Sequence, residues 1–512
     1  MQNSIDTARK VVAEGMSGLL PELLLAALVC VLLLADLFLR GVKPRATAWI
    51  AVVGFVACGA ALVQRYGAHA EIFGWVQSDG PRGMLLNDHF AWFFQMFVLA
   101  AALVCVPMAM DHAAFRSRRM GEFYALLAAA TLGMFLMASS TNLLMAYLGI
   151  EFASMASYLA TAIDKRDRAG SEGGLKYVIY GSVASGVMIY GISLLYGMTG
   201  SMHYGDIARA LQVHAATEGQ LMIAAVLIFA GFAYKMAAFP MHFWCPDVYQ
   251  GAPTPVTAFL SVASKAAGFA AFVRFLAAFT AHDGTFFIGF GDEKVPASFG
   301  WPVIIGGAAA LSMTVGNLGA LWQTNVKRLL AYSSIAQAGY LLMAVAVYAA
   351  GKGQPSGGDL APLIYYFVAY FFMNLGAFHV ITVIGSRTGA TSVADFAGLG
   401  RRAPWMAFGL GLCLLSLLGM PPTGGFVGKL QLLSAAVKHD LLWLAILAGI
   451  NTAISAFYYF KLLKCMYLDR SDAGVIRSGA ANMAVLAVLV APVLILGLAF
   501  SPIADLSRGF GF

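Results

Sequence analysis

About fourteen apolar runs of roughly bilayer length follow one another with short connections between them, and this succession leaves the chain one class of fold. They cover approximately 19 to 39, 46 to 64, 90 to 110, 122 to 139, 142 to 162, 175 to 198, 221 to 250, 254 to 281, 301 to 321, 326 to 349, 361 to 385, 404 to 437, 441 to 468 and 481 to 501. At about 20 residues per crossing, they use nearly all of the 512 positions. Hydrophobic residues make up 60% of the chain, charged residues 11%, and mean hydropathy is +0.78, which leaves no room for a sizeable water-soluble domain. The expectation is an all-α polytopic membrane protein. The opening MQNSIDTARKVVAEG carries both charge signs, and the apolar run from Leu19 exceeds a signal peptide's core, so a retained first span is expected. Runs seven and twelve are far longer than a bilayer requires and contain proline; each reads as two half-helices joined by irregular backbone.

The formal net charge of +7 does not point to nucleic acid, because the basic residues are dispersed among short loops. Their distribution sets orientation. Connections after odd-numbered spans carry nineteen Lys and Arg residues, against nine in the termini and the other connections. By the positive-inside rule the odd connections face the cytoplasm and both termini face outward. The six cysteines (Cys30, Cys58, Cys105, Cys245, Cys413, Cys465) are scattered, with no two at metal-ligand spacing, which argues against an iron-sulfur or zinc site. No Gly-rich strand-to-helix turn offers a nucleotide cradle. Turn signals in GWVQSDGPRG predict a small hairpin on the outer face, and GKGQPSGGD at 351 to 359 reads as a flexible connection.

Charges within the spans are the functional signal. In GFAYKMAAFPMHFWCPDVYQGAPTPVTAFLS, Gly231 to Ser261, Lys235 sits in apolar sequence just before the helix-breaking Pro240. A cation at membrane depth costs a few kcal/mol on insertion scales, and those that persist there usually lie on ion or proton paths. Glu151 stands in the otherwise apolar fifth span and needs a partner; Lys235 would let it stay charged. Lys265 lies among small residues in span eight, with room for close helix approach and water. Lys429 follows the break in GMPPTGGFVGKLQL, repeating the pairing of a broken helix with a buried lysine. His379 in span eleven is a possible relay member or a hydrogen-bonded structural histidine. Arg274 is expected to snorkel to the outer interface, Lys327 and Arg328 to anchor the start of span ten, and Glu22 and Asp36 to mark the interfacial ends of span one. Hydroxyls such as Ser154 and Ser264 have no base at catalytic spacing and are expected to bond to backbone. Buried amines can load and release protons near neutral pH as their neighbours change, so the three lysines read as a lateral proton or cation relay.

These residues carry a resemblance. KMAAFPMHFWCPDVYQGAPTPVTAFLS, with SEGGLKYVIYGSVASGVMIYGISLLYGMTGS upstream, GMPPTGGFVGKLQLL downstream and NVKRLLAYSSIAQAGYLLMAVAV between, is similar to the subunit N family of bacterial proton-pumping NADH-quinone oxidoreductase, complex I. The VYQGAPTPVTAF phrase favours subunit N over its antiporter-like siblings. The resemblance implies fourteen helices, with spans four to eight and nine to thirteen as inverted repeats. It divides the chain into an N-terminal three-helix segment (1–121), a first half (122–281), a second half (301–468) and a C-terminal helix (469–512). It assigns Glu151 and Lys235 as the ion pair, Lys265 as the connecting lysine and Lys429 as the second-half lysine. Some relatives carry histidine where Gln337 stands, so no titratable step is implied there. The implied partners are protons, lipid and the other membrane-arm subunits in a bacterial inner membrane. NADH, FMN, iron-sulfur clusters and quinone belong to other subunits, with no cofactor in this chain. The alternative class is a subunit of a stand-alone sodium/proton antiporter. The basic-residue asymmetry also makes a prediction: a reporter fused after Phe512 should be active only if it works in the periplasm, and cytoplasmic activity would reverse the orientation.

Overall fold

A computed structural model describes residues 18–39, 45–67, 70–72, 75–77, 80–110, 112, 115, 120–213, 218–280, 301–350, 360–471 and 473–510. The spans form α1 (Leu20–Leu39), α2 (Ala46–Gln64), α3 (His89–Met110), α4 (Met120–Ser139), α5 (Leu143–Thr161), α6 (Arg168–Thr199), α7 in two pieces (Glu218–Met236 and Trp244–Gly251), and α8, wound in succession as α (Thr254–Phe259), π (Leu260–Ser264) and α (Lys265–Thr280). They continue as α9 (Trp301–Leu321), α10 (Val326–Ala350), α11 (Ala361–Thr388), α12 in two pieces (Pro404–Leu418 and Gly424–Lys438), α13 (Leu442–Tyr467) and α14 (Ala480–Leu498). Thirteen described helices are long and apolar enough to cross a bilayer. Neither piece of α12 spans alone, since each has 15 residues, and together they make the fourteenth crossing.

Both breaks fall at the expected prolines. Residues 237–243 separate the pieces of α7, with Ala237 at a φ of 55°, and Gly419 at a φ of 90° ends the first piece of α12. The predicted hairpin is present: Trp75–Gln77 pairs antiparallel with Gly80–Arg82, nested inside Ala70–Ile72 paired with Leu85–Asn87. The 351–359 connection and both chain ends lie outside the described residues. Helix α6 begins about two turns before its apolar run. Asp167 caps it by accepting from the Ala169 amide at 3.0 Å, and its glycine-rich first turns let the second piece of α7 pack closely. Hydropathy misses these turns because the glycines that make the contact also dilute the apolar signal.

An inverted repeat is visible in backbone detail. Asn142 caps α5 through its side-chain oxygen, and the Leu143 amide and Thr141 carbonyl pair with Met202 and Tyr204 at 2.9 and 3.0 Å. The start of α10 does the same: Asn325 accepts from the Arg328 amide at 3.1 Å, and Val326 and Thr324 pair with Thr391 and Val393 at 2.9 and 2.7 Å. Helices α4 and α5 cross where a Cβ on Gly133 would stand 2.5 Å from the Ala153 nitrogen, and α9 and α10 cross with the same 2.5 Å between Gly316 and Ala336. One constant sequence interval separates Asn142 from Asn325, Gly133 from Gly316 and Ala153 from Ala336. Five spans separate the members of each pair, so the second set crosses the membrane in the opposite direction.

Two expectations need correction. Arg274 does not snorkel. Its side chain is 4% exposed, donates to both Asp88 carboxylate oxygens at 2.7 and 2.8 Å and to the Ala138 carbonyl at 2.9 Å, and lies over the Phe90 ring. The bidentate geometry ties α8 to the start of α3, because Asp88 offers a matched fork closer than solvent. Glu22, in the first turn of its span, is enclosed by protein instead of being left at the surface. It is buried, bridged to Arg65 at 3.2 Å and to Gln95 at 3.0 Å, which clamps α1, α2 and α3 together. Asp36 is likewise buried, against Gly121. Removing one member of a buried pair strands the other charge, so Asp88→Ala should cost about 3–5 kcal/mol. The apolar double replacement Asp88→Leu with Arg274→Met should recover much of that loss, and thermal unfolding in detergent measures both.

Candidate functional site

The site is a row of buried polar groups threaded through both repeats, and it starts on α5. Glu151, half-buried, accepts from Ser185 of α6. One turn along α5, Ser154 accepts from the Lys235 ammonium at 3.0 Å. No ion pair within 4 Å joins Glu151 and Lys235; each is held by a hydroxyl, and the carboxylate's charge acts on the amine across the gap. The expected pair is therefore brought together on one helix face, in an open arrangement. Ser154, expected to bond to backbone, instead serves the lysine.

Lys235 ends the first piece of α7, where helix carbonyls present partial negative charge. Its stem runs along α8: a Cβ on Gly268 would lie 3.3 Å from Lys235 Cγ, one turn from Lys265. Lys265 turns the other way, towards the second repeat, and donates to the Ser334 carbonyl of α10 at 2.5 Å. Ser334 Oγ meets the Tyr370 hydroxyl at 2.9 Å. One turn on, Gln337 accepts from Tyr366 and donates to the Leu417 carbonyl at 3.0 Å. That carbonyl also takes Lys429 at 2.9 Å, and Lys429 donates to the Leu418 carbonyl at 3.0 Å with its ammonium 4.4 Å from the Tyr340 ring centre.

Lys235, Lys265 and Lys429 are all at most 5% exposed. The lysine that precedes one proline break and the lysine that follows the other take equivalent places in their own repeats, each with its ammonium beside the first piece of its broken helix, since Lys429 reaches back to the C-terminal carbonyls of the first piece of α12. One face of α10 lies between the lysines of the two halves: the Ser334 carbonyl takes Lys265, Gln337 shares the Leu417 carbonyl with Lys429, and the Tyr340 ring lies under the Lys429 ammonium. Sequence reasoning missed this face, although the three-residue spacing of polar groups in SSIAQAGY was there to find it. His379 lies elsewhere, with Nε2 2.9 Å from the Asn482 carbonyl of α14. Lys327 and Arg328 do anchor the start of α10. Lys327 donates to the Ala252 carbonyl at 2.8 Å, and Arg328 binds Asp247, whose other oxygen takes Lys176 at 2.7 Å.

A fold of inverted five-helix repeats, each with a proline-broken helix beside a buried lysine, defines an antiporter-like membrane subunit. Residues 140–455 match the transmembrane family described as NADH:quinone oxidoreductase/Mrp antiporter. The chain is 41% identical over 503 residues, 94% of each chain, to NADH-quinone oxidoreductase subunit N of Anaeromyxobacter sp. (strain Fw109-5). It is 40% identical over 504 residues, 96% of this chain and 94% of the relative, to NADH-quinone oxidoreductase subunit N 2 of Chloroherpeton thalassium. The chain belongs to the NADH-quinone oxidoreductase subunit N family. Among solved structures it resembles a chain of respiratory complex I from Thermus thermophilus with bound aureothin, with a TM-score of 0.77 and 29% identity over 96% of this chain and 100% of that one. A chain of the Mrp complex from Dietzia sp. DQ12-45-1b shares the fold, at a TM-score of 0.77 and 21% identity over 96% and 97%.

The Gln337 junction makes a prediction. Gln337→Leu strands the Tyr366 hydroxyl and should cost about 1–3 kcal/mol. A variant whose thermal unfolding midpoint matches wild type would mean that the junction holds nothing.

Proposed function

We infer that this chain moves protons as a membrane-arm subunit of an NADH-quinone oxidoreductase in a bacterial inner membrane. Glu151, Lys235, Lys265 and Lys429 carry the transfer, and quinone reduction by other subunits drives it. The single observation that supports this most is the succession of three membrane-buried lysines from α5 to α12, each held by a hydroxyl or backbone carbonyl, with Lys265 reaching across to the second repeat. A structural scaffold would have no use for amines at this depth, where each costs a few kcal/mol. The 37–41% identities to subunit N relatives favour the oxidoreductase over the stand-alone antiporter, whose likeness is one of fold. NADH, flavin, iron-sulfur clusters and quinone are assigned to partner subunits, and both termini to the periplasm. The isolated chain should therefore show no flavin or iron absorbance.

The open Glu151 and Lys235 arrangement is the resting half of a switch. At an effective dielectric of about 20, two unit charges 4 Å apart attract by roughly 4 kcal/mol. Closing the gap holds the proton on Lys235. Opening it, with Ser185 taking the carboxylate and Ser154 the amine, releases the proton towards Lys265. His379 stands outside this transfer, as a tether to α14.

Replacing Lys235, Lys265 or Lys429 with methionine in the assembled enzyme should lower the protons moved per NADH oxidised; wild-type ratios in all three would sink the relay. Glu151→Gln separates switch from brace. A switch predicts normal assembly with a lowered ratio, whereas a brace predicts poor assembly with a normal ratio in the enzyme that survives.

A further inference from the structure

The four ionisable residues leave one interval of the row unbridged. Lys235 is satisfied by Ser154 on α5, and Lys265 by Ser334 on α10, so the two amines face opposite ways from neighbouring helices. Around that interval three hydroxyls are buried without a hydrogen-bond partner in the protein: Tyr177 of α6, Tyr249 of the second piece of α7, and Ser264 of α8. Their residues are 0%, 0% and 1% exposed. The Tyr177 hydroxyl faces Ser264, whose neighbour in the chain is Lys265, and the Tyr249 hydroxyl faces Ser334, which holds Lys265.

The geometry around them is rigid. Tyr177 stacks on Trp244 with ring centres 4.3 Å apart, and Trp244 meets Tyr249 edge-on at 6.3 Å. The indole N–H of Trp244 is itself fixed on the Tyr234 carbonyl at 3.0 Å, next to Lys235. Both phenols are thus held in place by one aromatic frame. Ser264 ends the π segment Leu260–Ser264, and single π turns inside α-helices are frequent at functional sites. Buried polar groups are nearly always bonded to protein or to ordered water, and these three hydroxyls, with Tyr177 turned to Ser264 and Tyr249 to Ser334 but none within full bonding geometry, offer polar partners to a water.

We propose that Tyr177, Ser264 and Tyr249 are positioning residues that hold the water through which a proton passes from Lys235 to Lys265. The ammonium of Lys235 gives its proton to a water held by Tyr177 and Ser264. That water passes a different proton on, through water bonded to the Tyr249 hydroxyl, to the neutral amine of Lys265, which the Ser334 carbonyl keeps in place. The hydroxyls donate and accept in turn and end unchanged, and no oxidation or reduction is involved. This rests on the pumping function proposed above and adds residues that carry no charge.

The test uses the whole assembled enzyme carrying Ser264→Ala, Ser264→Thr, or the double change Tyr177→Phe with Tyr249→Phe, with Lys265→Met for reference. Protons moved per NADH oxidised are measured in H2O and D2O. Ser264→Ala and the double phenylalanine variant should lower the ratio to the Lys265→Met level, and Ser264→Thr, which keeps the hydroxyl, should restore it. The solvent isotope effect on pumping should rise in any partly active variant. Wild-type ratios in Ser264→Ala and the double variant, with Lys265→Met still low, overturn this assignment and leave the pump standing. Wild-type ratios in all of them overturn both. A loss in Ser264→Ala that Ser264→Thr does not restore assigns Ser264 to packing and overturns its role.

Discussion

A helix broken inside a membrane frees carbonyls and amides that no solvent can satisfy, and the arrangement around each break follows from where those groups find partners. At the first break the indole N–H of Trp244 takes the Tyr234 carbonyl, and Ser312 of α9 accepts from the Phe239 amide at 2.8 Å. The neighbouring lysine is thereby spared backbone duty and turns to Ser154. At the second break Ser416 accepts from the Gly425 amide at 3.1 Å, and Lys429 itself covers the Leu417 and Leu418 carbonyls. A tryptophan in one repeat does what the lysine does in the other, so two lysines in equivalent settings differ in what holds them.

The repeat interval adds a second asymmetry. It places Ser334 where the first half has Glu151, and Gln337 where the first half has Ser154. The first half can therefore regulate its lysine with a full charge, while the second surrounds Lys429 with carbonyl dipoles and an aromatic ring. Under the proposed relay, charge control falls to one end of the row and conduction to the other. The Ser334 carbonyl meets Lys265 at the crossing between them.

Much of this was legible in the sequence, because crossing a bilayer imposes a minimum apolar length and proline imposes a break. The spans, apart from the start of α6, and the two interruptions could be read from those rules, as could the burial of Lys235, Lys265 and Lys429. Hydropathy does not record which face of a helix meets a neighbour. Arg274 near a span end looked like an interfacial arginine until Asp88, far away in sequence, closed on it, and Glu22 looked terminal until Arg65 and Gln95 enclosed it. The equivalence of Lys235 and Lys429 was hidden for a similar reason. It lies in where the ammonium groups end, and a flexible four-carbon stem lets the two residues start on opposite sides of a proline.

Helix α8 is pinned at its far end by the Arg274 fork, and at its near end the backbone of Ala252 is held by Lys327. Between these anchors the winding changes from α to π over Leu260–Ser264, immediately before Lys265. A π turn holds one residue more than an α turn. Moving that surplus residue past Lys265 would screw the lysine around the helix axis by about 100°, the angle of one α-helical residue, with both ends stationary. Such a step would make the helix a commutator: a contact that turns from one circuit to the other while its mountings stay still.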